Sequence, residues 1–169
     1  MNSTLEEDVI FKPWNPNAQL ITEAEVIRIL EEHGIQIEIN QLELYQRAFI
    51  HKSYLSSALT LAQGYGNTII SQPPNTLDLQ PHSYERLEYL GDAILSATIA
   101  SYLYERFPEQ DEGFLTKMRT KLVNGEMLGE LGFKMGLDKH IVLSQTVLDK
   151  NNQEVNYKLV EDLFEAFIG

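Results

Sequence analysis

Cysteine is absent from this chain of 169 residues. Disulfide bonds and thiolate metal sites are therefore excluded, and any metal ion would be held by oxygen or by histidine. No stretch approaches the ~20 apolar residues that a membrane-spanning helix needs. The N-terminal segment 1–8 is acidic and lacks the apolar core of a secretory signal. We therefore expect an intracellular protein with no membrane partner.

Positive charge is also scarce, with 13 Lys and Arg against 25 Asp and Glu and a formal net charge of −12. This balance argues against non-specific binding of polyanions through the bulk surface and fits a protein that gathers divalent cations. The length suggests one domain that can bury a real core. A hydrophobic content of 43% is ordinary for a soluble globular protein.

The chain divides into a loose N-terminal arm, residues 1–20 with Pro13 and Pro16, and a domain over residues 21–169. Thr22 and Glu25 form the pattern of a capping box, which predicts the start of a first helix. Gly34 is a suitable stop for that helix. We expect Asn40 to cap a second helix.

Residues 55–83 differ from the rest because they contain two glycines, two asparagines and three prolines: Gly64, Gly66, Asn67, Pro73, Pro74, Asn75 and Pro81. The composition predicts a long, partly mobile loop with a short helix at its start. Loops of this length inside a compact domain are uncommon and are either functional or disordered.

The longest predicted helix covers residues 83–107, is apolar over much of its circumference and ends at Pro108, so we expect it to be central and buried. Further helices are predicted near residues 113–124 and 125–135, and the last begins near Tyr157. No strand pattern stands out, so the predicted fold class is all-α. Because residue 169 falls inside an apolar helical pattern, we expect the chain to be truncated at its C-terminus.

Two sets of carboxylates have helical spacing. Glu85, Glu88 and Asp92 lie three and four residues apart and share one helix face, where like charges repel. Asp162 and Glu165 repeat the spacing of three. If the two helices face each other, their hard oxygen ligands suit Mg²⁺ or Mn²⁺, which promote phosphoryl transfer. Taken alone, Asp162 and Glu165 are better explained as a solvated helix face, whereas the earlier acids interrupt an apolar helix and need a partner.

The octet Glu85-Arg86-Leu87-Glu88-Tyr89-Leu90-Gly91-Asp92 resembles the signature of the ribonuclease III family, which cleaves double-stranded RNA. Three further blocks, at residues 48–54, 112–119 and 161–169, resemble other segments of that family and occur in the same order. Together the blocks cover roughly residues 40–169, which is far more specific than a single motif.

The resemblance implies roles for seven residues. The metal-binding carboxylates would be Glu88, Asp92, Asp162 and Glu165. Two further acids, Glu85 and Glu112, would line the cleavage groove and support the site. Lys158 would stabilise charge on the scissile phosphate, although a surface lysine at a helix start explains it equally well.

Tyr89 matches an aromatic residue that packs into a pocket of the partner subunit in the family; an ordinary core aromatic is the alternative. Gly91 costs about 1 kcal/mol inside a helix, which close approach of a backbone across a dimer interface would explain. Tight packing within one subunit would explain it too. His51 is expected to be structural and to bond to backbone rather than to act as a ligand or base.

The resemblance implies an all-α, homodimeric, Mg²⁺-dependent endoribonuclease with Mn²⁺ as a substitute, acting on double-stranded RNA to leave 5′-phosphate and 3′-hydroxyl ends. The segment between Tyr54 and Glu85 is longer than in compact bacterial members, and no double-stranded RNA-binding domain is present in this chain. RNA affinity relies on cationic contacts, so weak RNA binding is expected. A non-catalytic RNA-binding or assembly protein on the same fold is the alternative, and a helical metal-binding domain without a nucleic-acid role is another.

Overall fold

A computed structural model describes residues 10–151 and 154–169 of the chain. The described residues are mostly helical, which confirms the predicted all-α class. The helices are α1 (Glu23–Glu32), α2 (Leu42–Ala48), α3 (Ser56–Gly64), α4 (Glu85–Arg106), α5 (Glu112–Leu122), α6 (Gly125–Lys134), α7 (Gln145–Lys150) and α8 (Tyr157–Ile168). Two short strands, β1 (Ile10–Phe11) and β2 (Thr68–Ile69), pair in parallel.

The first helix begins as its sequence predicts. The Thr22 hydroxyl accepts a hydrogen bond from the Glu25 backbone N–H, and the Glu25 carboxylate accepts one from the Thr22 backbone N–H at 2.8 Å. This reciprocal pair satisfies two backbone donors that the helix itself leaves free. The second helix does not begin as expected. It starts at Leu42 with Gln41 at the cap position, so Asn40 lies one residue too early to cap it, and that prediction was wrong.

The core is built around α8, which packs against α4 on one side and α6 on the other. Its buried apolar residues are Leu159, Val160, Leu163, Phe164 and Ala166. The face of α6 that meets α8 is made of Gly125, Gly129 and Gly132, where added Cβ atoms would collide with residues of α8. The two helices therefore approach more closely than side chains would allow.

Helix α4 begins two residues later and ends one residue earlier than the helix predicted over residues 83–107, and much of it is exposed. Its buried residues are Gly91 and Leu103, on the side that meets the rest of the fold. Large apolar residues of α4 are exposed, namely Tyr89, Leu90, Ile94, Tyr102 and Tyr104, and all of these except Tyr102 lie away from the buried side. The expectation of a fully buried helix was therefore wrong for a single chain, and one apolar face of α4 is open.

The part of the predicted arm that the structure describes, residues 10–20, is docked rather than loose. Strand β1 pairs with β2. The Lys12 backbone N–H donates to the Thr146 hydroxyl at 2.7 Å, and the Lys12 ammonium pairs with Asp149 at 2.8 Å. Pro13 is buried. Proline-rich composition predicted looseness, but these long-range contacts hold the segment in place. Residues 1–9 lie outside the described residues.

The segment predicted as a long loop, residues 55–83, begins with α3, as expected, and contains β2. Its base is closed by backbone pairing, because the Gln80 N–H donates to Tyr54 O at 3.0 Å and the Ser56 N–H donates to Gln80 O at 3.1 Å. The buried Tyr54 hydroxyl donates to Leu77 O at 2.8 Å. The segment is thus anchored at both ends.

Among the described residues, none of the helices combines the length and the apolarity that crossing a bilayer requires.

Candidate metal centre

The candidate site lies where α4 and α8 cross. Gly91 of α4 sits directly against the backbone of α8, and a Cβ at this position would overlap the carbonyl of Glu165. The close approach predicted for Gly91 is made within one subunit, so the alternative of intrasubunit packing accounts for this glycine. Its predicted dimer contact stays a prediction. The packing of Gly91 against α8 brings the carboxylate-bearing faces of the two helices together.

Three of the four predicted metal ligands converge at this crossing. Glu88, Asp162 and Glu165 each offer a carboxylate oxygen, and these oxygens lie within 4.8 Å of one another. Oxygens bound to one Mg²⁺ at ~2.1 Å are separated by up to about 4.2 Å. Small side-chain rotations therefore suffice to bind the ion, and the all-oxygen donor set suits Mg²⁺ or Mn²⁺.

Asp92, the fourth predicted ligand, is exposed and stands outside this group of three. It lies one turn beyond Glu88 on α4. Its charge still acts on Glu165, because it contributes to the raised pKa of that residue. Asp92 therefore borders the cluster and could complete the coordination of an ion.

The carboxylates of the cluster are partly buried and close together, and both conditions disfavour their charged forms. Burial, followed by the charges of Asp92 and Glu161, raises the pKa of Glu165 to about 7. Burial, followed by the charge of Asp162, also raises the pKa of Glu88. A divalent cation would relieve this repulsion, which is the electrostatic signature expected of a metal site.

Asp162 is held from two sides. The Lys158 ammonium contacts its Oδ1 at 2.9 Å, and the Tyr84 hydroxyl donates to its Oδ2 at 3.3 Å. The close contact with the Asp162 carboxylate raises the pKa of Lys158, so the ammonium stays charged. Burial, together with the Asp162 charge, raises the pKa of the Tyr84 hydroxyl, which keeps it a donor. Second contacts of this kind orient a ligand for its metal.

The two supporting acids lie in different places. The Glu85 carboxylate pairs with the Lys52 ammonium at 3.1 Å and accepts from the Ser83 hydroxyl at 3.1 Å. Burial alone would raise the pKa of Glu85, but these contacts outweigh it and lower the pKa. Glu112 is exposed in the first turn of α5, where it accepts from the Thr116 hydroxyl at 2.8 Å. The structure does not bring Glu112 into the carboxylate cluster.

His51 has the structural role expected of it. Its Nδ1 accepts from the Ser53 backbone N–H at 3.1 Å and is 2.8 Å from the Ser53 hydroxyl. Burial, followed by the nearby Lys52 charge, lowers the pKa of His51 to about 4, so the ring is neutral at physiological pH. Its ring packs beside that of Tyr84, behind the metal cluster.

Three contacts at the site were not predicted from the sequence: those of Tyr84, Lys52 and Glu161. Glu161 pairs with Lys158 at 3.2 Å and adds to the negative potential at Glu165. The spacing of three between Lys158 and Glu161 on one helix could have signalled that pair.

Next to the cluster, an open cleft of about 470 Å³ is lined by Gly125, Glu126, Tyr157, Lys158 and Glu161.

The family model of the ribonuclease III domain matches residues 85–169. Ribonuclease 3 of Zunongwangia profunda is 38% identical over 128 residues, which is 76% of this chain and 43% of that protein. Two solved structures of the ribonuclease III nuclease domain from Campylobacter jejuni are similar in fold at 24% identity. One has a TM-score of 0.63 and covers 86% of this chain and 79% of its own. The other has a TM-score of 0.62, covers 83% and 80%, and is described as flexible in a region involved in dimer formation.

The chain spans less than half the length of the first curated relatives that it matches. The matched region nevertheless contains both carboxylate-bearing helices and the whole α4–α8 crossing. By its sequence and by the architecture of this crossing, the chain belongs to the ribonuclease III domain family.

Proposed function

We propose that this domain is a Mg²⁺-dependent endoribonuclease that cleaves double-stranded RNA and leaves 5′-phosphate and 3′-hydroxyl ends. The observation that carries this proposal is the convergence of Glu88, Asp162 and Glu165 on oxygens within 4.8 Å of one another. The names of the relatives and the family of the domain support the same activity. Mn²⁺ would substitute for Mg²⁺ because it accepts the same oxygen ligands.

Each residue of the site has a distinct task in this reaction. Glu88, Asp162 and Glu165 would hold the ion, with Asp92 at the edge of the cluster. A bound Mg²⁺ supplies an activated water and neutralises charge on the phosphoryl oxygens. Tyr84 fixes the orientation of Asp162. The Lys158 side chain is 67% exposed, so its ammonium can reach a phosphate oxygen in the adjoining cleft.

A homodimer follows from the open face of α4. Tyr89 is 82% exposed at the start of that face, and unpartnered apolar patches of this kind mark interaction surfaces. Dimer formation by a nuclease domain of similar fold supports the same arrangement. We therefore propose that two copies pair through α4 and present two acidic sites to one RNA, whose A-form shape they recognise.

The test is cleavage of long duplex RNA with Mg²⁺ by the parent protein, Asp92→Asn and Glu165→Gln. We expect the parent to cut, and both variants to lose activity by roughly a hundredfold or more. Glu31→Gln is the matched control because it removes an exposed carboxylate from α1, which carries none of the site residues, and it should cut normally. Kinase labelling of the products only after phosphatase treatment would identify 5′-phosphate ends.

Two results would overturn the proposal. Equal cleavage by the parent and both variants would show a contaminating nuclease. Duplex binding without any cleavage, at Mg²⁺ or Mn²⁺ concentrations that saturate the site, would favour a non-catalytic RNA-binding protein on the same fold.

A further inference from the structure

Lys158 has two carboxylate partners on its own helix. Its ammonium contacts Asp162 Oδ1 at 2.9 Å and Glu161 Oε2 at 3.2 Å. Both carboxylates are largely buried, with side-chain exposures of 14% for Asp162 and 19% for Glu161. The lysine therefore bridges one carboxylate of the metal cluster and one that stands outside it.

The ammonium and a metal ion compete for Asp162. Tyr84 already donates to Oδ2 of this carboxylate. The Lys158 ammonium lies 2.9 Å from Oδ1 as an ion pair, without a hydrogen bond to it, so an arriving cation meets a carboxylate that already faces a positive charge. A divalent ion also repels the ammonium. Metal binding is easier if the lysine has another acceptor to which it can shift.

The Glu161 carboxylate is in a position to accept the Lys158 ammonium. A Cβ on Gly125, the first residue of α6, would lie 2.7 Å from either oxygen of the Glu161 carboxylate. The carboxylate thus rests against the start of α6, which carries the positive end of the helix dipole. The absence of a side chain at Gly125 makes this position available.

We propose that Glu161 is a positioning residue that holds the Lys158 ammonium at the rim of the site when a metal ion takes Asp162. This inference rests on the proposed metal centre. Without Glu161, the Lys158 ammonium would pair with Asp162 alone and would weaken the binding of a metal ion to that carboxylate. With Glu161 present, it stays in the cleft lined by Gly125, Tyr157 and Lys158 itself, where the phosphate of the substrate would pass.

A double-mutant cycle separates this role from the charge that Glu161 carries. Mn²⁺ binding is measured by electron paramagnetic resonance, without RNA, for the parent, Glu161→Gln, Lys158→Met and the double variant. We expect Glu161→Gln to weaken binding roughly fivefold in the parent background, which is within the usual range of coupling between touching residues. In the Lys158→Met background, the same substitution should change binding by less than about twofold.

Two further variants guard against indirect effects. Gly125→Ala pushes the Glu161 carboxylate away from α6 and should weaken Mn²⁺ binding only while Lys158 is present. Glu31→Gln removes an exposed carboxylate from α1, which carries none of the site residues, and should leave binding unchanged. In RNA cleavage, excess Mg²⁺ should restore the rate of Glu161→Gln but not that of Lys158→Met, a split that a folding defect would not produce.

Equal weakening by Glu161→Gln in both backgrounds would overturn the inference, because Glu161 would then act through its own charge. In that case the proposed metal centre would stand, since the parent would still bind Mn²⁺. A parent protein that binds no Mn²⁺ would instead remove the metal centre, and this inference with it.

Discussion

Glu165 lies buried beside other carboxylates, and its pKa of about 7 is well above the ordinary value of 4.5. Between these two values the folded protein holds a proton that the unfolded chain releases. The free energy of unfolding therefore falls as pH rises through this interval. The groups that face Glu165 are Asp92 and Glu88 from α4, and Glu161 and Lys158 from its own helix.

We predict that Glu165→Gln stabilises the metal-free protein at about pH 8, on the order of 1–2 kcal/mol, and has little effect at about pH 4, where the carboxyl is protonated in both states. Thermal unfolding in a chelator across this range would measure the difference. Glu85→Gln is the contrasting control, because the pKa of Glu85 is lowered by its partners, and it should lose stability near neutral pH. Equal stability of Glu165→Gln and parent at every pH would contradict the prediction.

Residue spacing and the family resemblance predicted Glu88, Asp162 and Glu165 correctly as neighbours, because ligand residues are constrained in type as well as in spacing. The same reasoning could not place Tyr84 or Glu161. Tyr84 has the appearance of a core aromatic, and Glu161 that of a surface acid. Their roles depend on the residues of other helices that they meet, Asp162 and Gly125 respectively, and one sequence does not contain that information.

At the scale of helices, the contact between α4 and α8 depends on two missing side chains, since an added Cβ at Gly91 or at Gly169 would overlap the backbone of the other helix. A glycine inside a helix predicts a close approach, but not which backbone approaches. The structure identifies it as the carbonyl of Glu165 in the same chain. The two carboxylate-bearing faces meet because the helices cross at Gly91.

We predict that Gly91→Ala lowers the free energy of unfolding by roughly 2–3 kcal/mol, since overpacking forces α4 and α8 apart. Gly113→Ala is the matched control. A Cβ at Gly113 meets nothing closer than Asp111 Oδ1 at 3.5 Å, so this substitution should be neutral or slightly stabilising. Urea unfolding would compare the stability of the two variants. Equal urea midpoints would contradict the prediction, because they would show that α8 can move away from residue 91 with no loss in the free energy of unfolding.

At the scale of the whole molecule, the open face of α4 explains why the predicted burial of this helix failed. Its apolar pattern was recognised correctly, but an apolar pattern does not distinguish a core from a surface that a second copy covers. For the docked segment 10–20 the error is the opposite one, because a segment predicted to be loose is ordered. Its composition is that of a loose arm, and its order comes from residues far along the chain, such as Thr146.

We predict that Tyr89→Glu shifts the protein from dimer to monomer, because a charge cannot be buried in the α4 interface without a partner. Sedimentation equilibrium would measure the change, with an expected loss of roughly a hundredfold or more in dimer affinity. Tyr65→Glu is the matched control. Tyr65 is also 82% exposed, but it is the C-cap residue of α3 and is not part of α4. A dimer that survives Tyr89→Glu would place the interface elsewhere.

The crossing of α4 and α8 also has a consequence for synthesis of the chain. The carboxylates of Glu88 and Asp162 come from positions more than seventy residues apart in the sequence. Lys12 likewise makes its contacts with Thr146 and Asp149, which lie far along the chain. A ribosome releases α4 before α8, at ~5–20 residues per second. A nascent chain that has not yet emerged as far as α8 therefore lacks two of the three clustered carboxylates. The carboxylate cluster therefore cannot assemble before α8 has emerged.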